Sequence, residues 1–417
     1  MTTKKYQLYQ DYLATLDSGS SLTYAPIIRQ ALLFNFPDSF HQTDISQSLS
    51  AKVHGRADSS LFPEKKEIFQ VGYIEDEDFF KGLLASLNAK GVESKKISIG
   101  FGQLEALRLS QNQSAEVLSF AEFTRRQSGV DIGPVIKRQL GIFNYLVPRF
   151  YQVIKESGVD AIILRCYYKF FYFPVIFVCK MLGVTVIDVQ HGINGFVHPC
   201  YSGFSRQEKD TPLLPDVFWC WSSFSKQMLE SDSHLRHVAR TIIGGFPQIT
   251  SKNPPMQRDK VLYSHQPRSK GVPIPVTTIA EAQHLSGKSV TVRPHPLHVQ
   301  EGQEARDKLV AEGIKCHIED PREVSIHESL CESSLHVTYS STCALDGLNY
   351  GVPSICSSDN LLEIERRFNT GLIYSADCIE DAIDKSGKGD SIDYSLGTEK
   401  KISIGTDELL GRAATFP

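Results

Sequence analysis

Three stretches of polar residues in the second half of the chain carry side chains suited to binding a phosphorylated ligand. They are Ser264-His265-Gln266-Pro267, Arg293-Pro294-His295-Pro296 and Tyr339-Ser340-Ser341-Thr342. Imidazole, guanidinium and hydroxyl groups donate hydrogen bonds to phosphate oxygens, and the three stretches contain no carboxylate that would repel an anion. Together these residue types predict a site for a nucleoside monophosphate or diphosphate.

Each stretch follows a short apolar segment that predicts a β-strand, at Lys260–Tyr263, Ser289–Arg293 and Leu335–Tyr339. Helical patterns separate these strands, and this alternation predicts a parallel sheet covered by helices. Loops at the carboxyl ends of parallel strands lie at one edge of the sheet, where such sheets bind ligands. The Ser340-Ser341-Thr342 turn also begins a predicted helix, so its hydroxyls can either bind a phosphate at the helix N-terminus or simply cap the helix.

A further polar loop is predicted in the first half of the chain. The strand Val184–Val189 leads into Gln190-His191-Gly192, and His198 follows a few residues later. An isolated histidine more often forms a structural hydrogen bond than a functional one. Because this loop follows the carboxyl end of a buried strand, we interpret Gln190 and His191 as candidate site residues.

The length of 417 residues predicts more than one domain. We assign an N-terminal Rossmann-like domain to residues 1–247, which includes an extra helical segment at its start, and a second Rossmann-like domain to residues 258–385. Residues 386–417 are a linker or a segment that returns to the first domain. The predicted fold class is α/β of the GT-B type, with the two domains facing each other across a crevice. One predicted strand of the first domain is Lys96–Phe101.

Composition and missing motifs exclude several classes of function. The net charge of −4 argues against a nucleic-acid partner. There is no GxxxxGK[ST] loop for ATP hydrolysis, no GxGxxG after the first strand for a nicotinamide cofactor, and no CxxC pair for zinc. No DxD-like carboxylate pair lies at a strand end, so no metal or other cofactor is expected. The polar start of the chain predicts a cytoplasmic location.

The second-half motifs resemble those of a known group of enzymes. Arg293-Pro294-His295-Pro296 and Tyr339-Ser340-Ser341 look like the HP and Ser-Ser/Thr motifs of bacterial transferases that use CMP-activated acidic sugars, namely sialyltransferases, polysialyltransferases and Kdo transferases. The Gln190-His191-Gly192 loop is similar to one in capsule and O-antigen Kdo transferases. Overall, the chain resembles the retaining β-Kdo transferase module of an enzyme that terminates O-antigen chains. The resemblance covers most of residues 160–358, whereas residues 1–150 carry no matching motif.

This resemblance implies CMP-Kdo as the donor and a bacterial surface polysaccharide as the acceptor. His295, Ser340 and Ser341 would contact CMP, and Gln190 and His191 would contact the acceptor or the sugar carboxylate. Ser264, Arg293 and Tyr339 are further candidates for donor binding, and His265 is a further catalytic candidate. A peripheral association with the inner membrane, through other parts of a longer protein, is left open.

The resemblance implies retention, which permits a double displacement through a carboxylate nucleophile, for which we choose Asp232. It follows an amphipathic helix in a polar stretch and precedes a glycine-containing hinge at Gly244-Gly245-Phe246-Pro247. Asp188 lies inside an apolar strand, where we expect it to orient His191 instead. Asp216 lies at the start of a strand, which is the wrong end for a site.

Three alternatives stay open at the level of the sequence. A CDP-glycerol glycerophosphotransferase or a sialyltransferase-like enzyme would use similar residues. A UDP-sugar epimerase of the same architecture is another, less favoured, alternative. A catalytically silent module that only binds the end of a polysaccharide belongs to a different functional class.

Overall fold

The computed structural model describes residues 4–16, 22, 24–35, 69–74, 77–98, 115–192, 198, 200–201, 204–205, 208, 211–231, 239–247, 258–267, 272–348, 350–387 and 399–413. The chain forms two compact units. One consists of Thr2–Ile249 together with Glu399–Pro417, and the other contains Thr250–Thr398. Each unit is built on a six-stranded sheet in which every neighbouring pair of strands is parallel.

The N-terminal unit contains a sheet in the order β2-β1-β3-β4-β5-β6. Its strands are β1 (Gln70–Tyr73), β2 (Glu93–Lys96), β3 (Ala161–Arg165), β4 (Thr185–Val189), β5 (Val217–Cys220) and β6 (Arg240–Ile243). Its helices are α1 (Lys4–Ala14), α2 (Ala25–Asn35), α3 (Glu77–Ala89), α4 (Ala115–Ser128), α5 (Gly133–Ser157), α6 (Tyr172–Leu182), α7 (Ser223–Ser231) and α14 (Glu399–Ala413).

Both faces of this sheet are covered, which explains why its inner strands are almost wholly apolar. Successive residues of a strand point to opposite faces. Thus Ile162 and Leu164 of β3 join a core that also contains residues of α1, α2, α4, α5 and α6. Ala161 and Ile163 join the opposite core, which contains residues of α3 and α14. The predicted helical segment at the start of the chain is therefore confirmed as α1 and α2, and it packs as part of this unit.

The prediction of a strand at Lys96–Phe101 is wrong in its position. The strand β2 ends at Lys96, which pairs with Tyr73 of β1. Residues 99–101 lie outside the described part of the chain. Because β2 is an edge strand, its side chains Glu93–Lys96 are polar and lack the apolar pattern of the inner strands. The strand was predicted too far along the chain because the apolar pattern begins only after β2, at the buried Ile97.

The C-terminal unit contains a sheet in the order β12-β11-β10-β7-β8-β9. Its strands are β7 (Lys260–Ser264), β8 (Ser289–Arg293), β9 (Cys316–Ile318), β10 (Ser333–Thr338), β11 (Ser354–Cys356) and β12 (Ile373–Tyr374). Its helices are α8 (Val276–Ser286), α9 (Val299–Ala311), α10 (Ile326–Cys331), α11 (Cys343–Leu348), α12 (Asp359–Phe368) and α13 (Ile379–Gly387). No described helix combines the length and the apolar character that crossing a bilayer requires.

The last helix, α14, packs closely on the N-terminal unit because two glycines meet there. A Cβ atom on Gly405 would overlap the Cα atom of Gly244, and a Cβ atom on Gly244 would overlap the ring of Trp219. Elsewhere along the helix, the hydroxyls of Thr406 and Ser86 lie 3.0 Å apart, and Ile402 is fully buried. The close approach of α14 to the end of β6 therefore requires glycine at position 405, and the packing of Trp219 requires glycine at position 244.

We expect Gly405→Ala to destabilise the protein by about 1–3 kcal/mol, because overlap with the backbone at Gly244 forces α14 away from the sheet. The measurement is the free energy of unfolding in urea. Ile404→Ala, at a neighbouring position with 54% exposure, serves as the control and should change stability by less than about 0.5 kcal/mol. Equal stability of the Gly405→Ala variant and the wild type would contradict this account of the packing.

Candidate functional site

The strand order of the C-terminal sheet reverses between β7 and β10. The chain adds β8 and β9 on one side of β7, and then crosses to add β10, β11 and β12 on the other side. In doubly wound sheets a ligand crevice lies beyond the carboxyl ends of the strands at such a reversal. Here these strand ends are Ser264 and Thr338, so the two stretches that contain His265 and Ser340 flank the reversal.

Gln266 joins these two stretches. Its side-chain oxygen accepts a hydrogen bond from the Ser340 backbone N–H at 2.7 Å, and its side-chain nitrogen donates to the Ser340 hydroxyl at 3.0 Å. The Ser340 turn is thus fixed by a residue of the neighbouring loop. Gln266 lies in a polar stretch of the sequence but was not predicted as a site residue, because no local pattern indicates a partner so distant in the chain.

His265 and Ser264 are both buried at the end of β7. The His265 Nδ1 atom lies 3.1 Å from the Tyr263 hydroxyl, and the His265 backbone N–H donates to the Arg293 carbonyl at 2.8 Å. The Ser264 hydroxyl lies 2.8 Å from Nε2 of His336, whose Nδ1 atom lies 2.9 Å from the Ser354 hydroxyl. Burial lowers the pKa of His336 to about 3, so this chain of three side chains is uncharged at neutral pH.

The Ser341 side chain caps the helix that follows it. Its hydroxyl accepts a hydrogen bond from the Cys343 backbone N–H at 3.2 Å, and the Ser341 backbone N–H donates to the Thr338 hydroxyl at 3.2 Å. The helix α11 contains only six residues, which limits its dipole. Tyr339 is partly buried, and its carbonyl accepts from the Ser357 backbone N–H at 3.1 Å.

Arg293 and His295 differ in burial and in their bonding partners. Arg293 is buried, and its guanidinium forms an ion pair with Glu319, which also lies 3.4 Å from the Lys260 ammonium. A donor anion would therefore compete with Glu319 for this charge. His295 is exposed, and its Nδ1 atom accepts from the Leu297 backbone N–H at 3.2 Å.

Asp346 is a second candidate site residue that the sequence pattern did not predict. It is buried in α11, and its Oδ1 atom has no hydrogen-bond partner among the described residues. Burial raises the pKa of Asp346 to about 7. Asp346 belongs to α11, the helix that follows the Ser340-Ser341 turn, and both Asp346 and Arg293 act electrostatically on Cys343, the first residue of this helix. A ligand hydroxyl group is one chemical partner for such an unsatisfied acceptor.

In the N-terminal unit, Gln190 connects two strand ends. Its side-chain oxygen accepts from the Trp221 backbone N–H at 2.8 Å, its side-chain nitrogen donates to the Gly192 carbonyl at 2.9 Å, and its carbonyl accepts from the Trp221 indole at 2.8 Å. Gln190 therefore shapes the loop that contains His191. Whether it also contacts an acceptor stays a prediction.

His191 lies beside two aromatic residues. Its Nε2 atom is 3.4 Å from the Tyr168 hydroxyl, and the Tyr168 ring centroid lies 4.8 Å from that of His198. The buried Nδ1 atom of His191 has no hydrogen-bond partner among the described residues. Burial, together with the charges of Arg165 and Lys169, lowers the pKa of His191 to about 3. The ring is therefore neutral at physiological pH and can donate or accept a hydrogen bond.

The expectation that Asp188 orients His191 directly is wrong, because the two side chains form no hydrogen bond with each other. The Asp188 carboxylate accepts hydrogen bonds from the Tyr201 hydroxyl at 2.7 Å and from the Tyr167 backbone N–H at 3.0 Å. Burial raises its pKa to about 7, although these two bonds oppose the shift. The bond to Tyr167 helps to hold the preceding residue, Cys166, at a φ of 63°. This left-handed conformation is strained for a residue with a side chain.

Asp232, the predicted nucleophile, lies outside the described residues, and its role stays a prediction. Within the described part of the chain, no group of three or more His, Cys, Asp or Glu side chains is placed to hold a metal ion. The structure brings together Ser264, His265, Arg293, Tyr339, Ser340 and Ser341 at the ends of adjacent strands of one sheet.

Comparisons with known proteins support the fold. No protein-family model and no curated protein sequence matches the chain. Among solved structures, a Listeria monocytogenes protein assigned as a UDP-N-acetylglucosamine 2-epimerase matches with a TM-score of 0.52 and 13% identity, over 83% of this chain and 96% of that chain. Another UDP-N-acetylglucosamine 2-epimerase matches with a TM-score of 0.50 and 13% identity, over 84% of this chain and 98% of that chain. The Acinetobacter baumannii protein MurG has a TM-score of only 0.38 at 11% identity, over 84% of this chain and 100% of that chain. The prediction of an α/β fold of the GT-B class, built from two Rossmann-like domains, is confirmed.

We expect Asp346→Asn to change the pH dependence of stability. The pKa of Asp346 is raised in the folded protein, so the folded state holds this proton more tightly, and stability is lost as the pH rises towards and through about 7. Asp346→Asn lacks this titratable group. As the pH rises from 5 to 8, the free energy of unfolding of the variant should therefore increase relative to that of wild type by about 2–3 kcal/mol. Urea unfolding at both pH values measures this difference, and parallel pH profiles for the two proteins would contradict it.

Proposed function

We propose that this protein is a GT-B glycosyltransferase that moves Kdo from CMP-Kdo to a polysaccharide acceptor. The observation that carries the proposal is the pair of hydrogen bonds from Gln266 to Ser340 across the reversal of strand order. These bonds fix a hydroxyl-bearing turn where sheets of this type bind nucleotides. The exposed His295 and the unsatisfied Asp346 lie in the same unit and offer hydrogen-bonding groups for the phosphate and the ribose hydroxyls of CMP.

The proposed donor site uses neutral hydrogen-bond donors and no metal. The ion pair with Glu319 compensates the charge of Arg293, so hydroxyl, imidazole and backbone N–H groups would stabilise the departing phosphate. The acceptor would bind in the N-terminal unit near His191, whose unpaired Nδ1 atom can accept from or donate to a sugar hydroxyl. The proposed location of the reaction is the cytoplasmic face of the inner membrane.

We further propose that transfer proceeds by two displacements at the anomeric carbon of Kdo. An Asp232 carboxylate oxygen forms a bond to this carbon while the bond to the CMP phosphate oxygen breaks, and CMP leaves with the electron pair. The acceptor hydroxyl then attacks the same carbon, gives up its proton to a base, and releases the carboxylate. Two inversions give net retention.

Nucleotide binding separates this proposal from its alternatives. A ligand present at 100 times its Kd stabilises the folded protein by about 2.7 kcal/mol. We expect CMP to raise the unfolding temperature and UMP and UDP not to do so. A response to UDP alone would favour a UDP-sugar enzyme such as the epimerases named above, and no response to any nucleotide would favour a non-catalytic module. Turnover of CMP-Kdo, CDP-glycerol and CMP-sialic acid then distinguishes the donors.

Gln266→Ala should weaken CMP binding about tenfold, because Ser340 loses both hydrogen bonds that fix its turn. The control is Gln283→Ala, since Gln283 also forms two hydrogen bonds, to the backbone N–H and carbonyl of Lys315 before β9. Calorimetric titration with CMP measures both variants.

His295→Ala should cost roughly 1–3 kcal/mol of CMP affinity. If folded Gln266→Ala and His295→Ala both bind CMP as tightly as wild type, the proposed donor site is wrong.

The nucleophile is tested by intact mass. After incubation with CMP-Kdo and no acceptor, wild-type protein should gain the mass of one Kdo residue, and Asp232→Asn should not. An adduct on another carboxylate would reject Asp232 and keep the double displacement. A product with inverted anomeric configuration would reject both.

A further inference from the structure

A buried ion pair connects the N-terminal helices to the segment that follows β4. The Arg29 guanidinium of α2 donates to both carboxylate oxygens of Glu208, at 2.7 and 2.8 Å. Both side chains are only 1% exposed. The Tyr9 hydroxyl of α1 donates to the same carboxylate at 3.0 Å, and the Ser205 backbone N–H donates to it at 2.6 Å. Glu208 is therefore fully engaged between two helices and its own segment.

The same segment also contacts the strand ends. The Tyr167 hydroxyl donates to the Cys200 carbonyl, and the Tyr201 hydroxyl donates to Asp188. Arg29 and Glu208 lie near enough to Tyr167 for their charges to influence its pKa, which burial raises well above its usual value. The segment that carries Cys200, Tyr201, Ser205 and Glu208 thus connects the ion pair to the Asp188 cluster. Both lie on the face of the sheet that α1 and α2 cover.

Stability alone is a poor reason for such a network. Burying a charged pair costs desolvation free energy, and apolar residues of similar volume often give equal or greater stability. What the polar network provides is geometry, because each hydrogen bond fixes a direction that apolar packing leaves loose. The geometry concerned is that of the strained turn at Cys166 and of Tyr168, which contacts His191 and His198.

We propose that Arg29 and Glu208 are positioning residues for the acceptor site, and that they act through Tyr201, Asp188 and Tyr167 on the arrangement of Tyr168, His191 and His198. This inference rests on the proposed function, in which the acceptor sugar binds near His191. Arg29 and Glu208 are too deeply buried to touch substrate themselves. The N-terminal helices carry no recognised motif, but in this proposal they help to position the residues of the acceptor site.

The test compares four variants of the full chain. Arg29→Met leaves a buried carboxylate without its partner, which is strongly destabilising. Arg29→Met/Glu208→Gln removes both charges at nearly constant volume and should restore folding. Ile28→Ala, at the neighbouring fully buried position of α2, creates a cavity without touching the network and serves as the control.

We expect the folded double variant to show an acceptor KM raised about tenfold, with donor hydrolysis unchanged, because only the acceptor site loses its alignment. Arg29→Lys keeps the charge but loses the paired hydrogen bonds, so it should lie between wild type and the double variant. Ile28→Ala should keep the wild-type acceptor KM. An unchanged KM in the double variant, or an equal rise in Ile28→Ala, would overturn the positioning role.

Hydrogen exchange keeps the inference testable if the proposed function fails. In the double variant the backbone N–H groups of Ser205, Tyr201 and Tyr167 should exchange at least about tenfold faster than in wild type, and in Ile28→Ala they should not. If no donor is turned over by wild type, the proposed function is wrong, and the exchange rates alone decide the inference. Equal protection of these groups in the double variant and Ile28→Ala would reject it.

Discussion

The reversal of strand order between β7 and β10 is the constraint on which the candidate donor site depends. Parallel strands need crossover connections, and these are right-handed, so adding strands first on one side of β7 and then on the other sends the two sets of helices to opposite faces. The loops after β7 and β10 consequently lead in opposite directions. A hydrogen bond between them must therefore span the space between the two strand ends. Gln266 and Ser340 meet this requirement with two hydrogen bonds.

In the N-terminal unit, a buried carboxylate fixes the loop that follows β3, and its burial costs desolvation free energy. The inner position at the end of β4, where the same face of the strand carries Val186, is occupied by the carboxylate of Asp188. Burial raises the pKa of this group to about 7 even with two hydrogen bonds, which measures how unfavourable its charge is there. The neighbouring Cys166 is held in a left-handed conformation. Buried charge and backbone strain in one place are typical of positions that serve a site.

Much of this arrangement could be predicted from local pattern. Apolar segments followed by polar turns identified β7, β8 and β10, and with them the loops that contain His265, His295 and Ser340. The sequence could not show which of these groups are already engaged. Glu319, the partner of Arg293, belongs to another strand connection, and the burial of Asp346 depends on how α11 packs. The polar edge strand β2 was misplaced because it lacks the apolar signal on which prediction of strands relies.

The protonation of three buried histidines limits how these rings can interact with an anion. Burial lowers the pKa of His191 and His336 to about 3 and that of His327 to about 4. At neutral pH these rings carry no charge, so they cannot attract a phosphate or a sugar carboxylate as cations. Both ring nitrogens of His336 already face serine hydroxyls, whereas His191 can still donate one directed hydrogen bond, and a neutral donor in a buried site costs less to desolvate than a charged one. An anion bound here would therefore be held by the direction and number of hydrogen bonds, which makes the positions of the surrounding loops matter more than the total charge of the protein.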